Sequence, residues 1–163
     1  MVWTAPSTWL AGSVVTAAKL NEQLRDNLQA IGDPWTAYAP VWTAATTNPV
    51  IGNGTITGAY IQAGKFIVWR FAIISGTTTT YGSGNYSISL PVPGNSLFPL
   101  PVGDIIGLSS GAASFAGTLH ATGSNTVVSA TFNATRWSPA APYTPAAATA
   151  NNRWAGQGVY EAA

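Results

Sequence analysis

Ionised side chains are the scarcest component of this sequence. Six basic and five acidic residues make up 7% of 163 positions, against roughly 25% in an average soluble domain. Cysteine is absent, which excludes a disulfide framework, a thiol nucleophile and a thiolate metal site. One histidine and five acids are few for a zinc or iron centre, which needs several such ligands to converge. The net charge is +1 and no basic cluster occurs, so phosphate-directed binding of nucleic acid is not expected. No run approaches the roughly 18 apolar residues that cross a bilayer. The opening twenty residues lack an early Lys or Arg and a continuous apolar core, so they do not read as a signal peptide. The expectation is a soluble chain without a visible export signal and without membrane insertion.

What remains is apolar and extended. Hydrophobic residues make up 47% of the chain, with seven Trp, seventeen Gly and eleven Pro. That suffices for a core. A surface so poor in charge must be carried by Thr, Ser, Asn and Gly, or be covered by partners. Two parts are expected: an N-terminal arm and helix over 1–35, and a β-domain over 36–163.

The β-domain centres on residues 59–91. Lys65 to Ile74 is a dense run of β-formers. Phe66, Val68, Arg70, Ala72 and Ile74 fall on one face; Ile67, Trp69, Phe71 and Ile73 fall on the other. Both faces are largely apolar, which predicts cover on both sides, in a sandwich or a subunit interface. Tyr81 to Asn85 reads as a turn. Tyr86 to Leu90 alternates cleanly, and Pro91 ends it. These two strands are expected to pair and bury their apolar faces.

Further strands are expected at Pro40–Ala44, after a bend at Ile51–Gly54, at Gly103–Ser109, Ala113–Thr122 and Thr126–Asn133, and in the closing Asn151–Glu161. A loop at Val92–Pro101, a Gly123–Asn125 turn and a Pro/Ala loop over 138–150 separate them. Short strands with Gly and Pro turns indicate a mainly β fold, an antiparallel β-sandwich or jelly-roll-like domain. The extended arm and one α-helix precede it.

Residues 17–31 are that helix. Thr16 is the candidate N-cap, and Gly32 followed by Pro34 is a stop signal. Leu20, Leu24, Leu28 and Ile31 form a narrow apolar stripe. So short a helix is marginal alone, so the stripe must pack on the β-domain or on other copies, as in a three-stranded bundle. Lys19–Glu22 and Glu22–Arg25 are spaced for ion pairs on a solvated face. In the arm ahead of it, Trp3 and Trp9 read as a strap that docks its indoles on a neighbouring subunit.

Catalytic patterns are thin. His120 lies opposite Leu119 on its strand and reads as a surface residue. Asp104 is the one acid of the β-region before Glu161, too isolated for a paired-carboxylate hydrolase. No Gly-x-Ser-x-Gly elbow occurs. Gly82-Ser83-Gly84 and Gly52-Asn53-Gly54 precede no helix and fit turns, not phosphate loops. Arg70, on its apolar face, is expected to find Asp104 or Glu161. Aromatics among Asn, Thr and Gln suit sugar stacking, although Trp on a strand is more often core.

Thr16 to Leu28, TAAKLNEQLRDNL, resembles the opening helix of many structural proteins of tailed phages that infect actinobacteria. The central blocks are similar to a domain of the same proteins: Gly58-Ala59-Tyr60, Gly64-Lys65, Gly76-Thr77-Thr78-Thr79, Gly82-Ser83-Gly84, and Tyr86 to Pro91. So is the ending, Gly158 to Ala163. The resemblance implies a minor tail, fibre or decoration-type virion protein, assembled in the host cytoplasm, commonly as a homotrimer with other virion proteins as partners. It supplies no catalytic residue, metal or cofactor. The resulting expectation is a non-enzymatic protein of the tail tip or a short tail fibre, with host cell-wall glycan as a further partner. A capsid decoration or head fibre is the alternative, and a glycan-binding module the second alternative.

Overall fold

A computed structural model describes residues 4–32, 34–95, 101–108, 114–121, 125–132, 135–138 and 152–163. The expected loop at 96–100, most of the 123–125 turn and the Pro/Ala loop from 139 lie outside the described residues.

The helix, α1, runs through Ala17–Leu20, Asn21–Asp26 and Asn27–Ile31. Thr16 caps it as expected: its backbone is extended and its Oγ1 accepts from the Lys19 amide at 3.3 Å. The middle segment departs from the regular α-helix expected, because Asn21–Asp26 is wound as a π-helix. A π segment of this kind commonly marks a functional position, and here it contains Gln23, which grips the arm. Gly32 ends the helix with φ −99° and ψ 6°, so the stop does not use the left-handed glycine of the usual motif. Arg25 pairs with its neighbour Asp26 at 2.7 Å, in place of the expected pair with Glu22.

Ten strands follow among the described residues: β1 (Thr36–Tyr38), β2 (Trp42–Ala44), β3 (Thr55–Ala63), β4 (Phe66–Ile74), β5 (Tyr86–Ser89), β6 (Pro101–Leu108), β7 (Ser114–Ala121), β8 (Val127–Phe132), β9 (Thr135–Arg136) and β10 (Arg153–Glu161). They form one antiparallel sheet in the order β1-β3-β4-β10-β6-β7-β8-β5-β2, with β9 on β8. The fold is therefore mainly β and antiparallel, preceded by an arm and one helix.

β1 and β2 are consecutive in the chain yet stand at opposite ends of the sheet. The sheet curls until these ends meet. The Tyr38 hydroxyl donates to the Ser89 carbonyl at 3.5 Å. Val41 N–H donates to Ser89 Oγ at 2.8 Å, and Ser89 N–H donates to the Val41 carbonyl at 3.0 Å. The two layers expected of a sandwich are opposing halves of this single curled sheet.

The expected pairing of β4 with β5 is not formed. β4 lies between β3 and β10, and β5 lies between β8 and β2. The register explains the choice: β10 matches β4 along all nine of its residues, from Ile74 opposite Arg153 to Phe66 opposite Glu161, whereas β5 has only four residues. The 75–85 connection is held elsewhere, by bridges from Thr80 to Val50 and from Ser83 to Thr47.

Alternation places Ile67, Trp69, Phe71 and Ile73 on one face, as the spacing predicts, and that face turns inward, with all four buried. Opposite walls of the curl meet through aromatic rings. Trp42 of β2 lies 5.8 Å from Trp154 of β10, 6.2 Å from Trp137 and 5.0 Å from Tyr86. Among the described residues, the buried indole N–H groups of Trp42, Trp69 and Trp137 find no hydrogen-bond partner. That costs about 1–3 kcal/mol each, which burial of large rings must offset. The other face of β4 is only partly covered by the described residues, where its apolar side chains predict full cover: Val68 and Ala72 are half-buried and Trp35 lies over Arg70, but Phe66 is 62% exposed and Arg70 is also exposed.

Candidate functional site

Two surfaces stand out, one on the helix and one on the outer wall of the sheet. On the helix, Gln23 and Asn27 are four residues apart and so share a face. Asn27 Oδ1 accepts from the Thr4 amide at 3.0 Å, and Asn27 Nδ2 donates to the Thr4 carbonyl at 2.9 Å. Gln23 Oε1 accepts from the Ser7 amide at 2.6 Å, while its Nε2 donates to the Ala5 carbonyl at 3.4 Å. Each carboxamide thus presents a donor and an acceptor to an extended strand, as a neighbouring β-strand would. Among the described residues, these four hydrogen bonds pin the arm along the helix.

That arrangement leaves the apolar side chains facing outward. Leu20, Leu24 and Leu28 are 40%, 53% and 68% exposed, and Trp9 is 43% exposed. Leu10, Val14 and Val15 of the arm are exposed as well. Trp3 and the side chain of Ile31 lie outside the described residues. Of the expected interface set, then, the structure brings Trp9, Leu20, Leu24 and Leu28 to one N-terminal unit. Among the described residues its last segment, Asn27–Ile31, contacts β3.

The outer wall of the sheet forms the second surface. Trp35, between helix and β1, stacks on the Arg70 guanidinium at 4.4 Å from the ring centroid. Neither carboxylate expected for Arg70 reaches it among the described residues: Glu161 lies 3.8 Å from Lys65. Asp104 stands two strands away in the same cross-strand row, with Gln157 between them. The row and its neighbours enclose a groove of about 550 Å³ across β3, β4, β10 and β6. Its floor is small, including Ala59, Ala72 and Ala155; its rim carries Arg70, Asp104, Arg153 and Gln157. A bulge between Pro101 and Gly103 sets Asp104 in place. Gly103 has φ +152°, and a Cβ there would collide with the Gln157 carbonyl, so β6 can approach β10 this closely only with glycine.

His120 sits on β7 opposite Ser129, half-exposed, while Leu119 is buried. Among the described residues no group of three or more His, Asp or Glu converges, and no helix is long and apolar enough to cross a membrane. The tryptophans suited to sugar stacking are largely spent on the core: Trp42, Trp69, Trp137 and Trp154 are buried. No family model, curated protein or solved structure matches the chain.

Sequence reasoning missed Gln23, Asn27, Trp35 and the groove. The first pair carried a signal, two carboxamides at helical spacing beside the leucine stripe. The groove carried none, because it depends on β10 lying between β4 and β6.

Proposed function

We propose that this chain is a structural protein of a phage virion that assembles as a homotrimer through its N-terminal arm and helix. Its β-domain is displayed at the tail tip or on a short tail fibre, and its work is assembly, not catalysis. The observation that carries this reading is the outward row of Leu20, Leu24 and Leu28, with Trp9 of the arm also exposed, on a helix whose Gln23 and Asn27 are engaged with the arm. The resemblance of Thr16 to Leu28 to phage structural helices agrees with it. At about 25 cal/mol per Å² of apolar surface removed from water, burying such a row gives several kcal/mol per copy. Three linked contacts then reinforce one another.

Sedimentation equilibrium of the full chain tests the assembly: a mass of three chains is expected, and a monomer at tens of micromolar overturns the trimer. Immunogold labelling of particles tests the place. Gold at the tail tip is expected, whereas gold over the head would make the protein a capsid decoration or head fibre.

A further inference from the structure

In a sequence so short of charge, where the charges stand is informative. The chain from residue 36 onward carries six: Lys65, Arg70, Asp104, Arg136, Arg153 and Glu161. Lys65 and Glu161 face each other, and the side chain of Arg136 lies outside the described residues. Arg70, Asp104 and Arg153 all rim the same outer-wall groove, joined there by Gln157. All four are exposed.

These side chains share one chemical trait. Each ends in a planar group with two or more hydrogen-bonding atoms set side by side. Such groups suit pairs of adjacent hydroxyls or a carboxylate, which they meet by two parallel bonds. Trp35 holds the Arg70 guanidinium by its face, which fixes its direction and leaves its N–H edge available. Between the planar groups, Ala72, Ala155 and the half-exposed Ile106 offer an apolar floor, fit for the C–H face of a ring.

The position of the groove narrows the ligand. β4 and β10 lie in the interior of the sheet, with partners on both sides. Their backbone donors and acceptors are therefore committed to the ladder, and a peptide cannot add to them as an extra strand. Recognition must therefore come from side chains, and a ligand dense in hydroxyl groups offers these planar groups many partners. Two arginines against one aspartate leave the rim positive. The volume, about 550 Å³, falls within the roughly 300–1,000 Å³ of small-ligand sites and accommodates one or two sugar rings.

We propose that the groove between Arg70, Arg153, Asp104 and Gln157 binds a carboxylate-bearing saccharide, a uronic acid or a sugar acid of similar form. Arg153 takes the carboxylate, while Arg70, Gln157 and Asp104, which share one cross-strand row, take the ring hydroxyls. This goes beyond the assembly role and does not depend on it, since all four rim residues belong to one chain.

The test uses the full chain and a glucuronic-acid-containing disaccharide, with the analogue reduced to the primary alcohol as the neutral comparison. Calorimetry or titration by NMR reads the affinity. Saturable binding is expected, weaker by roughly tenfold for the neutral analogue and in Arg153→Gln, the change that one charged hydrogen bond confers. Asp104→Asn and Gln157→Ala should weaken both sugars alike, and Lys65→Gln, outside the groove, should leave both unchanged. Thermal melting of each variant confirms that the fold persists. No saturable binding, or equal affinity in Arg153→Gln and the parent chain, overturns the proposal. So does release of the sugar on self-association, which would show that a second copy covers the groove. Sedimentation of the same samples reports the assembly separately, so failure of one reading is distinguishable from failure of the other.

Discussion

Asn27 and Thr4 hold each other by two opposed hydrogen bonds, 3.0 Å from the Thr4 amide and 2.9 Å to the Thr4 carbonyl. Asn27 is buried although its described neighbours on the helix are exposed or half-buried. The carboxamide does for the arm what a β-ladder does for a strand. It also frees the leucines from packing the arm, so that they remain outward. Replacing Asn27 by Ala should release the arm at a local cost of about 1–2 kcal/mol, the value of two such bonds. Hydrogen exchange checks this: the Thr4 and Ser7 amides should lose protection while the β4 and β10 amides keep theirs.

Leu24→Asp addresses assembly. The side chain is 53% exposed, so folding of the single chain should change by no more than about 0.5 kcal/mol. Burying a carboxylate in a helix bundle is costly, so the sedimentation mass should fall from trimer to monomer. An unchanged mass would remove the helix from the interface.

Trp154 tests where the stability resides. It lies at the meeting of opposite walls, 5.8 Å from Trp42 and 6.1 Å from Trp137, and is almost fully buried. Trp154→Ala should cost about 3–5 kcal/mol, read as a lowered urea midpoint.

Alkaline pH probes the seam near the C-terminus. Burial pushes the Tyr160 hydroxyl up to about 12, although the Val92 amide that donates to it works the other way. Burial likewise raises Tyr38 and Tyr86. The unfolded chain releases these protons near pH 10, while the folded chain retains them. The unfolded state thus binds fewer protons, and stability falls as pH rises above about 10. Urea midpoints between pH 9 and 11.5 should show that decline. Tyr160→Phe should reduce its slope, at a neutral-pH cost of about 1 kcal/mol for the lost bond to the Val92 carbonyl.

The sequence carried the local part of this structure and little of the long-range part. Period-two alternation grouped Ile67, Trp69, Phe71 and Ile73 on one face of β4, but with both faces largely apolar it did not tell which face turns inward. Thr16 and the leucine spacing defined the helix. Pairing was different. The apparent partner of β4 was β5, its neighbour in the chain, but β10 enters from far downstream and completes a nine-residue ladder. No local pattern records that choice. The rim of the groove follows from it: Gln157 and Arg153 join Arg70 only because β10 adjoins β4. Three-residue β1 was invisible as well, since Thr36-Ala37-Tyr38 is too short to show a period.

The curl of the sheet has a further consequence for a chain with so little charge. Like charges usually hold copies apart, and here there are few. The two terminal strands of the ladder, β1 and β2, have three residues each and turn toward a common seam at Ser89. The two ends of the ladder therefore offer a stray strand little to pair with, although β1 covers only Gly58 to Tyr60 of the nine-residue β3. Edge growth is limited here by geometry more than by charge, and under the proposed assembly the row of Leu20, Leu24 and Leu28 is where copies would join.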